Sequence, residues 1–347
     1  MYFPKVAVVI LNWNGKNYLE KFLPSVVAST YPNLELVLGD NASTDDSVEF
    51  VRTNHPSIRI IVTDKNLGFA GGYNHVLKQV SAEYYVLLNS DVEVTSGWIE
   101  PVIRLMESDL QIAAAQPKIL SYHDKSSFEY AGAAGGFLDR YGYAFCRGRL
   151  FDALEKDSGQ YDYPTEIFWA TGAAFFIKRT IWENSGGLDA DFFAHMEEID
   201  LCWRLKNNGY KIMYCPGSKV YHVGGGTLSV ESSFKTYLNF RNNLVMLQKN
   251  LSPGKAFRVI FIRFWLDLLS LVKFLAQGSP KNALAVSKAH FYFFGNLNRN
   301  RKKNHFNSAR FNSAALYSGS IVWQYFGKGI KRFSDLNFKI STYKFIK

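Results

Sequence analysis

The feature that most constrains this chain is a repeated pairing within its first ninety residues. Short apolar, β-rich runs at residues 6–11, 34–39, 58–63 and 85–88 each end in a cluster of small polar residues. Helical patterns separate them, at residues 18–28, from about Asp45, and at residues 72–79. This rhythm predicts βαβ units, hence an α/β fold with a mostly parallel, Rossmann-like sheet and flanking helices. Ligands of such sheets bind beyond the carboxyl ends of the strands. The polar clusters fall there, at residues 12–15, 40–45, 64–74 and 89–91, so four loops are expected to line one crevice.

Beyond residue 112 the pattern weakens into Gly- and aromatic-rich stretches, including Ala-Gly-Ala-Ala-Gly-Gly at 131–136, which read as irregular strands and a mobile loop over the site. A second ordered block follows: a strand at 173–177, a helix at 197–208, and a strand near Tyr214 that leads to Tyr221 and His222. A hydrophobic content of 47% over 347 residues is ample for a buried core and excludes disorder for most of the chain. Cys146, Cys202 and Cys215 have neither zinc-site spacing nor the even count of a disulfide framework, which suits a reducing compartment. The apolar run at 6–11 is too short for a signal-peptide core or a membrane span, so a cytoplasmic enzyme core is expected.

Charge divides the chain. Residues 235–347 carry 20 Lys/Arg against Asp267 and Asp335, a net of +18, whereas residues 1–234 carry −8. Two parts are expected: a catalytic domain over 1–234, with a nucleotide-binding half at 1–111 and an acceptor-binding half at 112–234, and a basic, mainly α-helical region over 235–347. Ending the chain near Ser233 should then leave a more soluble protein. On a helix over 256–276, Arg258, Arg263, Asp267, Ser270 and Lys273 share one half of the circumference, and Phe261, Phe264, Leu268, Leu271 and Leu275 the other. A helix lying on an anionic membrane surface fits this best. Homodimerisation or packing on the catalytic domain would also use such a face. A nucleic-acid-binding role through the basic run Arg299 to Lys303 is the non-enzyme alternative.

Several positions carry chemistry. Asp91 ends an apolar strand where a carboxylate could bridge Mg²⁺ or Mn²⁺ to a diphosphate, although an Asx turn accounts for it alone. His222 could complete that metal site. Asp40, at a strand end, could accept a hydrogen bond from the ring N3 donor of uracil or thymine, while Ser43, Thr44 or Asp45 could cap the next helix. The loop from Asn66 to Asn74 offers Gly68 and Gly71 for close backbone approach, amide side chains at Asn66 and Asn74, and helix N-terminal donors. Asn12, Asn14, Asn41, Asn89 and Ser90 belong to the same crevice. Glu197, Glu198 and Asp200 open a helix, where acids suit the dipole but three within four residues also suit general-base chemistry. Trp169, Thr171 and Gly172 could form an acceptor floor, with a packed strand the plainer reading of the Trp.

Taken in order, Val-Val-Ile-Leu-Asn-Trp-Asn, Asp-Asn-Ala-Ser-Thr-Asp, Asn-Leu-Gly-Phe-Ala-Gly-Gly-Tyr-Asn, Leu-Asn-Ser-Asp, Trp-Ala-Thr-Gly-Ala, Glu-Glu-Ile-Asp-Leu-Cys-Trp-Arg and His-Val-Gly-Gly resemble the family 2 glycosyltransferases of GT-A fold, especially their rhamnosyltransferase-like branch. The resemblance covers about residues 4–245. It implies an inverting transfer from a nucleotide diphosphate sugar, dTDP- or UDP-linked and with dTDP-rhamnose favoured, to a glycan or lipid-linked glycan in surface polysaccharide or O-antigen assembly. It further implies that Asp40 contacts the pyrimidine nucleotide, that Asp91 and His222 hold Mg²⁺ or Mn²⁺, that Glu198 is the catalytic base with Glu197 beside it, and that Asp200 lies on the acceptor side. Two positions depart from the family pattern: Asn89 replaces the first Asp of its Asp-X-Asp motif, and Glu198 stands where Asp is usual. A nicotinamide-type Rossmann enzyme is disfavoured, because the first turn, Asn12 to Asn17, holds one glycine in place of G-x-G-x-x-G.

Overall fold

The computed structural model describes residues 2–224 and 232–338. The alternation becomes four parallel strands, β1 (Val6–Asn12), β2 (Leu34–Asp40), β3 (Arg59–Val62) and β4 (Tyr84–Asn89), linked by helices α1 (Lys16–Val27), α2 (Ser47–Asn54) and α3 (Gly68–Leu77). β1 pairs with β2 up to Asn12 opposite Asp40, and with β4 up to Leu11 opposite Asn89. That register brings three of the expected site residues to one sheet edge. β1 and β4 are covered on both faces, which is why they read as continuous apolar runs. α3 starts at Gly68, earlier than expected, because the Phe69 and Ala70 amides donate to the Phe193 carbonyl at 2.7 and 3.2 Å.

After β5 (Val92–Val94) and α4 (Ile99–Glu107), β6 (Ile112–Ser121) is buried at every position except Ser121. It therefore belongs to the core. β7 (Gly136–Asp139), β8 (Ala144–Cys146), β9 (Arg149–Leu150) and β10 (Ala153–Leu154) form a small sheet, after which the chain rejoins the large one through β11 (Thr165–Ile167) and β12 (Ala174–Lys178). α5 (Arg179–Ser185), α6 (Glu197–Asn207) and β13 (Lys211–His222) complete this part. The large sheet runs β11-β13-β6-β12-β4-β1-β2-β3, with β5 on β13. β12 is antiparallel to both β4 and β6, so only part of the sheet is parallel.

The expected mobile loop at 131–136 is instead packed. Ala133 and Ala134 are fully buried, and the Ala133 carbonyl accepts from the Ile119 amide at 3.0 Å. Gly132 has φ +106°, and a Cβ there would lie 2.5 Å from Thr171 Cγ2. Only glycine lets this segment approach the β11–β12 connection beneath it.

The C-terminal region is helical, with α7 (Ser233–Asn250), α8 (Pro253–Ala276), α9 (Pro280–Gly295) and α10 (Leu297–Lys302). The expected division after residue 234 runs between elements that share one core. Leu244, Met246 and Leu247 of α7 join the cluster that contains Ile199 and Leu205 of α6. β14 (Leu316–Tyr317) pairs with β7, and the Ile321 amide donates to Asp139 at 2.9 Å. Among the described residues no helix is long and apolar enough to cross a membrane. Part of the Arg299–Lys303 run is engaged internally, since Arg299 pairs with Asp191 and Lys303 with Asp189 and Asp191.

Candidate active site

Parallel pairing delivers Asn12 and Asp40 side by side. Asn12 Nδ2 donates to Asp40 Oδ1 at 3.0 Å and to Ser43 Oγ at 3.1 Å, while the Ser43 amide and hydroxyl donate to the Asp40 oxygens at 2.9 and 2.6 Å. Asp40 is buried, and most of its acceptor capacity is spent inside the loop. Among the described residues Asn12 Oδ1 has no hydrogen-bond partner. Asn14, at φ +50°, turns its Oδ1 to the Thr44 amide at 2.7 Å and so fastens the first loop to the second. Asn41 joins the third, its Nδ2 donating to Asn66 Oδ1 and the Gly68 carbonyl, both at 3.0 Å, while its Oδ1 accepts from the Leu67 amide at 2.9 Å. These side chains build the crevice wall by bonding to one another.

The third loop differs from expectation. Gly68 has φ +71°, and a Cβ there would lie 2.7 Å from the Phe193 carbonyl oxygen. Because that carbonyl takes the first-turn donors of α3, they do not face an anion. At Gly71 a Cβ would meet Leu67 Cβ at 3.0 Å, which is helix packing. Asn74 clamps residue 188, donating to the Leu188 carbonyl at 2.6 Å and accepting from its amide at 3.0 Å. Neither Asn74 nor the α3 terminus is thus free to bind a nucleotide.

Beyond β4, Asn89 and Ser90 are half-buried and Asp91 is buried. The antiparallel pairing of β5 with β13 places His222 opposite Val92. Asp91 Oδ1 lies 3.2 Å from His222 Nε2, and Asn89 Nδ2 lies 3.5 Å from the same nitrogen. Burial alone would raise the Asp91 carboxyl, but the imidazole beside it more than reverses this and holds it below its ordinary value. Burial would lower His222, and Asp91, followed by Glu129, overcomes that and pushes it up to about 10. Glu129 Oε2 lies 3.3 Å from His222 Nδ1 and accepts from the Ala131 amide. Among the described residues no cluster of three or more acidic, His or Cys side chains is arranged to hold a metal. Asp91 and His222 nonetheless fit two adjacent ligands of an ion otherwise held by substrate oxygens, since donors at about 2.1 Å from a cation stand about 3 Å apart.

The acids of α6 are presented by strained backbone. Phe193, His195 and Met196 have φ of +64°, +69° and +72°, a costly conformation for residues with side chains. Asn242 of α7 holds it by donating to the carbonyls of Phe192, Ala194 and His195 at 3.0, 2.9 and 2.7 Å. Glu197 Oε2 and Glu198 Oε2 are enclosed and, among the described residues, have no hydrogen-bond partner. Burial raises both carboxyls, and the Glu198 charge raises Glu197 further. Glu198 reaches about 7, with backbone amides that include Gly172 pulling the other way. Thus burial, more than the neighbouring acids, makes Glu198 basic. The Gly172 contact joins α6 to the start of β12, and the Ala173 carbonyl accepts from the Asn89 amide at 3.1 Å, beside the end of β4.

Three acceptor-side expectations, Asp200, Trp169 and Thr171, are bound up in packing. Asp200 is fully buried and binds Arg204 Nε at 2.9 Å, Lys249 Nζ at 2.9 Å and Asn250 Nδ2 at 2.8 Å, so it ties α6 to α7. Trp169 packs over Gly136 and donates to the Phe137 carbonyl at 3.0 Å. Thr171 is also buried, its amide donating to Gln116 Oε1 at 3.0 Å, and only Gly172 of that stretch reaches a catalytic candidate. Sequence reasoning missed Glu129, Gln116 and Asn242. The one available signal for Glu129 was a single acid within Phe-Glu-Tyr-Ala-Gly-Ala-Ala-Gly-Gly.

With strand-end loops, an acid–imidazole pair and a pair of raised carboxyls gathered at one sheet edge, residues 7–168 match the sequence profile of glycosyl transferase family 2. Over these residues the chain carries the sequence pattern of that family. The chain is 25% identical over 237 residues to the N-acetylglucosaminyl-diphospho-decaprenol L-rhamnosyltransferase of Mycobacterium tuberculosis, covering 62% of this chain and 75% of that one. It is 23% identical over 245 residues to the low-salt glycan biosynthesis hexosyltransferase Agl10 of Haloferax volcanii, covering 69% and 74%. Among solved structures, GalNAc-T7 with UDP, GalNAc and Mn²⁺ aligns with a TM-score of 0.55 at 17% identity, over 71% of this chain and 48% of that one. The mannosyltransferase PcManGT of Pyrobaculum calidifontis, with GDP-mannose and Mn²⁺, gives 0.52 at 16% identity, over 87% and 84%. The glycosyltransferase fold is therefore GT-A.

Proposed function

We propose that this glycosyltransferase moves a sugar, with inversion, from a nucleotide diphosphate donor to a hydroxyl of a glycan or lipid-linked glycan in surface polysaccharide assembly. The observation that carries the reading is the Asp91–His222 pair, 3.2 Å apart beyond β4, with Glu198, whose enclosed Oε2 has no hydrogen-bond partner among the described residues, linked to the end of β4 through Gly172 and the Ala173–Asn89 hydrogen bond. The loops built on Asn12, Asp40 and Asn41 would seat the nucleotide, with the unpartnered Asn12 Oδ1 and the remaining Asp40 acceptor capacity available to a pyrimidine. Asp91 and His222 would hold Mg²⁺ or Mn²⁺, which when bound supplies positive charge against the leaving diphosphate. Glu198 takes the acceptor proton as that oxygen bonds to the anomeric carbon and the carbon–oxygen bond to the diphosphate breaks on the opposite face. Burial raises Glu197 as well, and the nearby Glu198 charge favours its neutral form, so the pair holds one charge in preference to two. Glu129, whose Oε2 stands 3.3 Å from His222 Nδ1, would orient the imidazole so that Nε2 faces the ion.

dTDP-rhamnose is the favoured donor, supported by the mycobacterial relative at 25% identity, with UDP-hexoses the alternative. Work at the cytoplasmic face of a membrane would suit a lipid-linked acceptor. The test is release of nucleotide diphosphate from a panel of dTDP-, UDP- and GDP-sugars with Mn²⁺ or Mg²⁺. Turnover should vanish in excess EDTA and in Asp91→Ala. Full activity in EDTA would overturn the metal assignment, and no turnover with any donor would overturn the function.

A further inference from the structure

Helix α8 turns the middle of its polar stripe, Arg263 and Asp267, inward and its apolar stripe outward. Arg263 and Asp267 are buried beside Ala256 and Val259. Arg263 Nε and Nη2 each donate to Asp267 Oδ1 at 3.2 Å, its guanidinium lies 3.9 Å from the Tyr143 ring centre, and Asp267 Oδ2 lies 3.1 Å from His290 Nε2 of α9. Asn243 of α7 also bonds Arg263. Rolling α8 to hide its apolar face would tear this network from its partners and carry buried Ala256 and Val259 out into water. The orientation is locked.

Outside, Phe257, Phe261, Trp265, Leu269, Val272 and Leu275 recur every three or four residues. Each is more than half exposed, Phe257 reaching 74%. At 1.5 Å per residue the stripe is about 27 Å long. Exposed Lys255, Arg258 and Lys273 on the same helix, with Lys281 and Lys288 on α9, accompany it. The sole acid between residues 253 and 302 is the buried Asp267. We infer that this face is a seat for an anionic lipid surface, α8 lying in the headgroup plane with its aromatic and aliphatic side chains in the acyl boundary. Uniform positive charge complements anionic lipid and opposes a second copy of the same face. The inference stands apart from the proposed reaction, because it uses no residue of the candidate active site.

The test is co-sedimentation of the full chain with vesicles of phosphatidylcholine, alone or with one-quarter phosphatidylglycerol, at low and high salt. Binding to the anionic vesicles should exceed binding to neutral ones and weaken with salt. Trp265→Asp combined with Leu269→Asp should reduce the partition coefficient by roughly ten-fold or more while thermal unfolding and nucleotide-sugar hydrolysis in solution stay unchanged. Phe257→Ser, at the most exposed position, is the gentler companion should the double variant misfold. Lys255→Glu with Arg258→Glu should remove the salt-sensitive part. The seat is refuted if the full chain ignores anionic vesicles, or if the apolar variants bind them like the parent. It is equally refuted if the parent is a dimer that the same variants dissociate without any vesicle binding, since a second copy would then cover the face. Loss of hydrolysis with vesicle binding intact in the parent would instead count against the enzymatic reading alone.

Discussion

Glu198 and Glu197 differ in surroundings more than in chemistry. Glu198→Gln keeps the shape and removes the proton acceptor, so single-turnover transfer should fall by roughly 10² to 10⁴ while calorimetric nucleotide binding with metal is retained. Glu197→Gln should cost less. Near-normal transfer by Glu198→Gln beside an inactive Glu197→Gln would move the base one residue upstream. The raised carboxyl also sets a sign for stability. A Glu lifted from 4.5 to about 7 in the folded protein favours folding below 4.5 and loses that contribution as pH rises through 7. Glu198→Gln should therefore gain melting temperature over the parent between pH 5 and 8, with the gap closing toward pH 4, and transfer should rise with pH along a limb near 7. A gap that widens in acid would contradict the assignment. Glu129→Gln should weaken Mn²⁺ binding by roughly ten- to a hundred-fold, read by calorimetry, since partners that orient a ligating His are worth about that much. Unchanged affinity would leave Glu129 a purely structural role.

At the scale of elements, β-α alternation was legible because strands buried on both faces must be apolar and the loops beyond them must turn. The junction ahead of α6 was not legible. Left-handed Phe193, His195 and Met196 follow no local preference, and they persist because Asn242, some fifty residues later, bonds three carbonyls of that loop. Asn242→Ala should destabilise the protein by about 1–3 kcal/mol, the usual cost of stranding buried polar groups. It should also lower transfer more than donor binding, because it frees the loop that aims Glu198. Equal losses in both would indicate general unfolding. α8 likewise had a readable amphipathic pattern, and sequence periodicity could not say which half faced in.

Over the whole molecule, the charge contrast suggested a detachable tail, and packing denies it. Lys249 of α7 lies 2.7 Å from Asp189 and 2.9 Å from Asp200, so ending the chain near Ser233 leaves buried Asp200 with Arg204 alone of its three partners, takes the lysine from Asp189 and bares the core beneath Leu244 and Met246. Breaking a buried pair alone costs about 3–5 kcal/mol. The truncated chain should lack a cooperative melting transition and aggregate, and a soluble, cooperatively folding product would show the two parts to be independent. By itself the sequence determined the order of strands and helices in the first half and the sheet edge where their polar loops gather, because local periodicity and strand-end chemistry are written in neighbouring residues; it offered Asp91 and His222 as candidates from the same chemistry and Glu198 from the family resemblance, and the variants above test those roles. Tertiary structure alone decided that Asp200, Trp169 and Asn74 are bound up in packing, that Glu129 stands behind His222, and that α8 faces outward with its apolar side. Each of these depends on which distant groups satisfy a buried polar atom, and no local pattern records such a partner.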